Sequence, residues 1–389
     1  MRKNKIYFFA VLYLLTGTIL WAQEDIKILH GPYLQNMSED EVTVVWVTNN
    51  NAVSWVELAP DDNTHFYLTE RPKFFAAKNG VKQEGQVHSV KLTDLKPGTK
   101  YRYRIFSQEV LNRQSYHIFY GKVASTAVYQ TGPLTFTTNN YAKKEMTFTM
   151  INDIHGRSDM MRTLLEIAEP KKNDLVFFNG DMVSSMNGEK ELFDGFMDVG
   201  VEVFAKEIPM YYCRGNHETR GPFATEFQTY FSPLSPELYY LVRQGPVCFV
   251  VLDCGEDKPD TDIEYSGITV YDQYRTQEAR WLKEALKQKE FTEAPFKVVI
   301  CHMPPFGGWH GEQEILQKFV PLLNEANVDI MLCGHLHQHV NNKPSEHVRF
   351  PVLANGNEAV VKGKASEQEL ILDVIELNGK QKDQIVIRK

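Results

Sequence analysis

The sequence predicts an all-β sandwich followed by an α/β domain, and three observations carry that prediction. Residues 27–138 break into short β-branched and aromatic runs separated by turn signals. From residue 145 onward, apolar strand-like runs alternate with helical patterns. Five of those later strands end in residue types that ligate metals, and strand ends are where α/β sheets build their sites. The 389 residues are enough for two domains with sizeable cores.

The first element is an export signal over residues 1–22. Arg2, Lys3 and Lys5 form a positive head, residues 6–20 are apolar, and Ala22 is a small residue suited to cleavage. The apolar run is interrupted by Thr16, Gly17 and Thr18 and is short for a membrane span, so cleavage and a periplasmic or secreted chain are expected. No later stretch is long and apolar enough to cross a membrane.

The β module is expected over residues 23–140. Residues 42–47, 53–58 and 87–92 read as strands, and 134–138 closes the series. The stretch Leu95, Pro97, Gly98, Thr99 and Tyr101 is a Pro-Gly turn entering a strand, and it resembles a fibronectin type III domain. The module has no clustered ligands and no nucleophile–base pair, which makes it a packing or positioning unit. The polar run 139–145 reads as a linker.

The α/β domain is expected over residues 145–389. Strands are predicted at 147–152, 174–179, 209–213, 247–252, 296–301 and 328–333, with further strands at 369–375 and 384–387. Helices are predicted at 160–169, 190–204, 275–288 and 313–326. The formal net charge of −8 and the lack of a basic block exclude a protein that coats nucleic acid, but not a small nucleotide substrate. The five cysteines lie in apolar runs and read as buried small hydrophobes, with a Cys248–Cys254 pair not favoured.

Five strand ends carry the chemistry. They are Asp153 with His155 and Arg157, Asp181 after Gly180, Asn216 with His217 and Glu218, His302, and His335 with His337. Carboxylate, imidazole and amide together suit Zn, Mn or Fe. The set is too large for one tetrahedral ion and fits two ions sharing a carboxylate, which can hold a hydroxide and clamp both oxygens of an in-line displacement at phosphorus. His335 and His337 alternate, so the chain must leave regular strand geometry for both rings to face one site.

Asp-x-His, Gly-Asp, Gly-Asn-His-Glu, a strand ending in His, and Gly-His-x-His occur in that order. Together they resemble the calcineurin-like metallophosphoesterase superfamily, and the β-rich module ahead of them resembles the layout of purple acid phosphatases. The resemblance implies two packed mixed β-sheets flanked by helices, and an exported phosphoesterase with two metal ions (Fe, Zn or Mn) attacking phosphate esters in line with a metal-held hydroxide. Carried over by motif, Asp153, His155 and His337 would hold one ion. Asn216, His302 and His335 would hold the other, and Asp181 would bridge. His217 would protonate the leaving oxygen or contact the transition state, and Glu218 would orient His217.

The pattern departs from purple phosphatases at two places. Their tyrosine ligand, three residues after the bridging aspartate, is replaced by Ser184, and His155 stands where they have no histidine. Arg157 and Arg214 flank motifs and are candidates for gripping a phosphate, or else for ion pairs. Trp309 and His310, in a Gly-rich rim loop, are further substrate candidates. His30, His65, His88, His117 and His347 read as structural, and His339 as structural or a partner behind the ligands. The alternative function is a non-catalytic metal- or partner-binding protein on the same fold. A zincin-type hydrolase lacks its H-E-x-x-H motif here.

Overall fold

The computed structural model describes residues 24–231 and 236–389; the predicted export segment lies outside the described residues. Strands Glu145–Ile151, Leu175–Asn179 and Met210–Cys213 run parallel in one six-stranded sheet, completed by the antiparallel strands Ala359–Ser366, Glu369–Glu376 and Gln381–Arg388. Strands Val247–Leu252, Phe296–Cys301, Ile330–Cys333 and Val352–Ala354 run parallel in a second six-stranded sheet, with antiparallel edges at Tyr240–Gln244 and Val340–Asn342.

Period-two alternation packs the two sheets face to face. Leu175 and Phe177 point into the cluster between the sheets, while Val176 and Phe178 point to the helices outside. Phe249 of the second sheet lies 5.0 Å from Phe148 and 4.7 Å from Phe177 of the first, ring centre to ring centre. Helix Ser158–Ala168 covers the outer face of the first sheet with Met161, Leu164, Leu165 and Ala168, spaced three and four apart. Helices Tyr271–Ala285, His310–Lys318 and Val320–Glu325 flank the second sheet. These are the expected two mixed sheets between helical layers.

The predicted helix over 190–204 differs in detail. Helical chain runs from Glu189 to Ala205 but contains two π-helical stretches, Phe193–Met197 and Val201–Ala205. The wider turns keep Phe196 and Met197, neighbours in sequence, both in the core.

The N-terminal module also departs from expectation in one respect. The two strands predicted at 42–47 and 53–58 are one strand, Val42–Pro60, with a register break between Val47 and Ala52. Its first half pairs with Ile28–Gln35 and Glu84–Leu92, its second with Lys100–Gln114 and Lys73–Phe75, so the sandwich is hydrogen-bonded as one seven-stranded sheet. Both halves share one apolar cluster containing Trp46, Leu58, Val90, Tyr103 and Phe136.

That cluster continues into the space between the two six-stranded sheets, so the module is welded to the rest. Tyr103 Oη donates to the Lys206 carbonyl at 2.6 Å, and Tyr211 Oη to the Met37 carbonyl at 2.9 Å. The predicted linker is packed as well. Asn139 is buried and donates to the carbonyls of Met37 and Arg243, and the Tyr141 N–H donates to Glu39. All five cysteines are free and buried, and no described helix is long and apolar enough to cross a membrane.

His88 gives the module a pH-sensitive point. Its ring is buried against Trp46 and hydrogen-bonded to Thr48, and burial pushes its pKa from 6.5 down to about 4. The unfolded chain takes up this proton first, so the stabilisation is fully present above pH 6.5 and is lost as pH falls toward 4, a change on the order of 3 kcal/mol. The urea midpoint is therefore expected to fall between pH 7 and pH 5, and His88→Gln to flatten that slope. Equal slopes in both proteins would assign the pH dependence elsewhere.

Candidate metal centre

The five predicted turns converge at the carboxyl ends of the parallel strands. Regular strand geometry cannot aim their side chains inward, and the backbone leaves it: Asp153, His155, Asp181, His335 and His337 have φ of 53°, 50°, 53°, 68° and 54°. Left-handed non-glycine residues cost of order 1 kcal/mol or more each, and clusters of them mark functional sites. The alternating histidines thus reach one site, as the spacing required. Neighbouring glycines leave the space. A Cβ on Gly215 would lie 2.2 Å from Asp181 Oδ1, and one on Gly334 2.6 Å from Asp153 Oδ2.

Each carboxylate has one oxygen anchored and one turned to the centre. Asp153 Oδ2 accepts from the Asn152 amide at 2.6 Å and the His335 N–H at 3.0 Å. Its Oδ1 lies 3.2 Å from His337 Nε2. Asp181 Oδ1 accepts from the His217 N–H at 3.0 Å, and its Oδ2 lies 3.0 Å from His302 Nε2. His302 Nδ1 donates to the Asn179 carbonyl at 2.7 Å, which fixes Nε2 inward. His155 Nε2 and His337 Nε2 face each other at 3.1 Å, and His335 Nδ1 stands 3.1 Å from Asn216 Oδ1.

Two sets of donor atoms therefore gather within 4.8 Å: Asp153, His155, Asp181 and His337, and Asp181, His302 and His335, with Asp181 common to both. Buried Asp153 Oδ1 and His302 Nε2 have no aligned hydrogen-bond partner. Unpartnered buried donors and acceptors are expensive, and a pair of cations is what this donor set fits.

The electrostatics agree. Burial pushes His155 and His335 down to about 4, the neutral state a ligand needs. Burial works against charge on His302 too, but the carboxylates of Asp181 and Asp153 outweigh it and raise the ring to about 10. Without a metal, a proton on His302 supplies the positive charge those carboxylates demand. Asp181 is held below the usual carboxylate range because His302 and His217 overcome its burial.

A family described as Calcineurin-like phosphoesterase matches residues 146–339, and one described as Purple acid Phosphatase, N-terminal domain matches residues 32–129. The chain belongs to the calcineurin-like phosphoesterase superfamily. It is similar to Purple acid phosphatase 18 of Arabidopsis thaliana, 22% identical over 83% of this chain and 68% of that protein. It is also similar to Fe(3+)-Zn(2+) purple acid phosphatase 12 of the same plant, 23% identical over 78% of this chain and 64% of the relative. The chain thus spans about two thirds of the length of these relatives. The structure of a purple acid phosphatase from yellow lupin (Lupinus luteus) seeds shares the fold, with a TM-score of 0.67 at 17% identity over 92% of this chain and 74% of that one.

Within this calcineurin-like frame, His217 lies beside the centre. Its Nδ1 donates to the Ser184 carbonyl at 2.8 Å, and a carbonyl only accepts, so Nε2 is the ring nitrogen turned away from that anchor, with Arg220 Nη1 at 3.3 Å.

Four expectations need correction. Glu218 does not orient His217. Its buried carboxylate accepts the backbone N–H groups of Asp181, Met182, Val183 and Gly215 and the Tyr212 hydroxyl, tying the second and third turns together. Arg214 does not face the centre, being 8% exposed and paired to buried Asp253 at 2.8 Å. Arg157 donates to the carbonyls of Ile154 and Asp153, bracing the first turn from behind. His310 is bound to Asp272 at 2.7 Å, outside both donor sets. Trp309 is half exposed, with the Lys258 ammonium 5.3 Å from its ring centre, and keeps a rim position.

Three supporting residues escaped the sequence reading. Asn355, in a stretch that reads as a mere turn, is fully buried and locks Asn152 behind Asp153. Asn179 offers only its carbonyl to His302, a contact invisible in side-chain motifs. Arg220 follows His217 by three residues, the spacing that overlaps in a 3₁₀ turn, and its Nη1 reaches His217 Nε2 at 3.3 Å. That spacing was the available signal.

Proposed function

We propose that this chain is an exported phosphoesterase with two metal ions, its β module spanning residues 23–140 and its catalytic domain residues 145–389. The observation that carries this is the inward-facing donor set, with Asp181 common to both halves and buried Asp153 Oδ1 and His302 Nε2 lacking an aligned hydrogen-bond partner. Asp153, His155 and His337 would hold one ion, Asn216, His302 and His335 the other, and Asp181 both. When bound, the metal pair supplies a hydroxide at neutral pH and positive charge for the phosphoryl oxygens.

The chain's own residues do the rest. His155, His217 and His337 have side chains 16%, 27% and 47% exposed, against 0% for His302, so substrate enters on their side. His217, held by the Ser184 carbonyl, presents Nε2 to the leaving oxygen. Asn152, Asn355 and Glu218 keep the turns rigid, so the donors need no reorganisation during reaction.

Protein reconstituted with Zn, Mn or Fe is expected to hydrolyse phosphate esters in a panel of monoesters and diesters. Two bound ions without hydrolysis of any member would instead favour a binding protein on this fold. One relative carries Fe(3+) and Zn(2+) in its name, which motivates including both metals. Because Ser184 replaces the tyrosine ligand, iron-loaded protein is expected to lack an intense visible band. A purple sample would require a tyrosinate ligand from elsewhere in the chain.

A further inference from the structure

Arg220 is not one of the motif residues but closes the third turn, its N–H donating to the His217 carbonyl, and its guanidinium is built into a rigid support beside His217. Its Nε and Nη2 grip the two oxygens of Glu256 at 2.8 and 2.9 Å, a two-pronged ion pair. Glu256 is itself 1% exposed and is held by the Thr219 hydroxyl at 2.8 Å and the Tyr265 hydroxyl at 3.0 Å. The Glu256 carbonyl is fixed in turn by fully buried Arg275 at 3.1 Å. A fork held this way leaves Nη1 unengaged by Glu256, and Nη1 lies within hydrogen-bond distance of His217 Nε2, at 3.3 Å.

The side chains of Arg220 and His217 are 29% and 27% exposed. Arg214, by contrast, is shut away on Asp253. An ion pair serving only to hold a loop needs no third nitrogen aimed at His217, whose Nε2 lies 3.9 Å from Asp181 Oδ2.

We infer that Arg220 is a catalytic residue, its Nη1 joining His217 Nε2 in receiving the leaving oxygen of a phosphate ester. This rests on the phosphoesterase reading of the site. In the reaction a water oxygen forms the new P–O bond, and the bond to the leaving group breaks with its electron pair passing to the leaving oxygen. Of the two water protons, one ends on the released alcohol and the other on the phosphate, and nothing is oxidised or reduced. Arg220 supplies a fixed positive charge where that electron pair accumulates. The poorer the leaving group, the more charge its oxygen carries in the transition state, and the more the contact contributes.

The experiment uses the metal-loaded chain, Arg220→Ala, and Arg220→Lys, which keeps the charge opposite Glu256. Metal content is matched first. The affinity for inorganic phosphate is read by calorimetry, and kcat is read for aryl and alkyl phosphates of rising leaving-group pKa. Arg220→Ala is expected to weaken phosphate binding by about 10- to 100-fold, as for loss of a charged hydrogen bond. Its kcat deficit is expected to be smallest for nitrophenyl phosphate and to grow steadily toward alkyl phosphates, with Arg220→Lys recovering part of both. A deficit equal for every leaving group, with phosphate affinity unchanged, would reduce Arg220 to a loop anchor and overturn the inference. If the wild-type protein hydrolyses none of the series, the phosphoesterase reading fails instead, and the phosphate affinities still decide the Arg220 contact.

Discussion

Asp181→Asn is expected to lose both metal ions and nearly all hydrolysis while keeping its fold. Asp181 is the only residue common to both donor sets. Its Oδ1 is anchored by the His217 N–H, and its Oδ2 faces His302. Asparagine offers one acceptor and one amide donor for these two places. Either flip sets an N–H against the His217 N–H or turns it toward the cations, and the bridging negative charge is gone. Groups behind metal ligands are commonly worth 10- to 100-fold in affinity, so a shared ligand should exceed about 100-fold. A loss of activity on the order of 10³-fold follows from removing the charge that organises the site. Metal analysis after gel filtration and aryl phosphate hydrolysis check this, with circular dichroism as the folding control. Wild-type metal content and rate in the variant would remove Asp181 from the centre.

Glu218→Ala is expected to act through stability. Its carboxylate is fully buried and accepts four backbone N–H groups and one phenol. Burial, and then the neighbouring Asp181 charge, push its pKa up, which these donors oppose. Truncation leaves those donors unsatisfied at about 1–3 kcal/mol each, partly relieved by water entering the space. A destabilisation of roughly 4–5 kcal/mol or more is a large share of a typical domain's total. Urea unfolding should show it, and Glu218→Gln should fall between, since an amide keeps one acceptor. If Glu218→Ala unfolds at the wild-type midpoint yet loses activity, the carboxylate acts on His217 after all.

The contrast between these two residues shows how far the sequence was legible. Asp181 and Glu218 stand in motifs of equal clarity, and the fold brings both to the same cluster of strand ends. Asp181 could be given its place because a ligand's role follows from its atom type and from converging strand ends. Glu218 was given the wrong one, because a carboxylate next to a histidine in sequence points wherever the turn sends it. Here a tight turn sends it back under the backbone of the neighbouring motif. Arg214 shows the same limit. An arginine at a strand end is open to phosphate or to a carboxylate, and Asp253, 39 residues away in the chain, decided it.

The sequence by itself determined the two-part architecture, the alternation that packs two sheets between helices, and the candidate ligands that the strand ends bring together. These are local matters: side-chain period, turn glycines and ligand chemistry are all written in short stretches. Only the tertiary structure decided that Val42–Pro60 is one strand, that residues 139–145 are packed and not a free tether, and that Asn355 and Glu218 brace the turns. It alone placed Arg220, clamped by Glu256, beside His217. Each of these depends on which distant group meets a buried polar atom. That pairing is set by the folded backbone and by the cost of leaving such an atom without a partner.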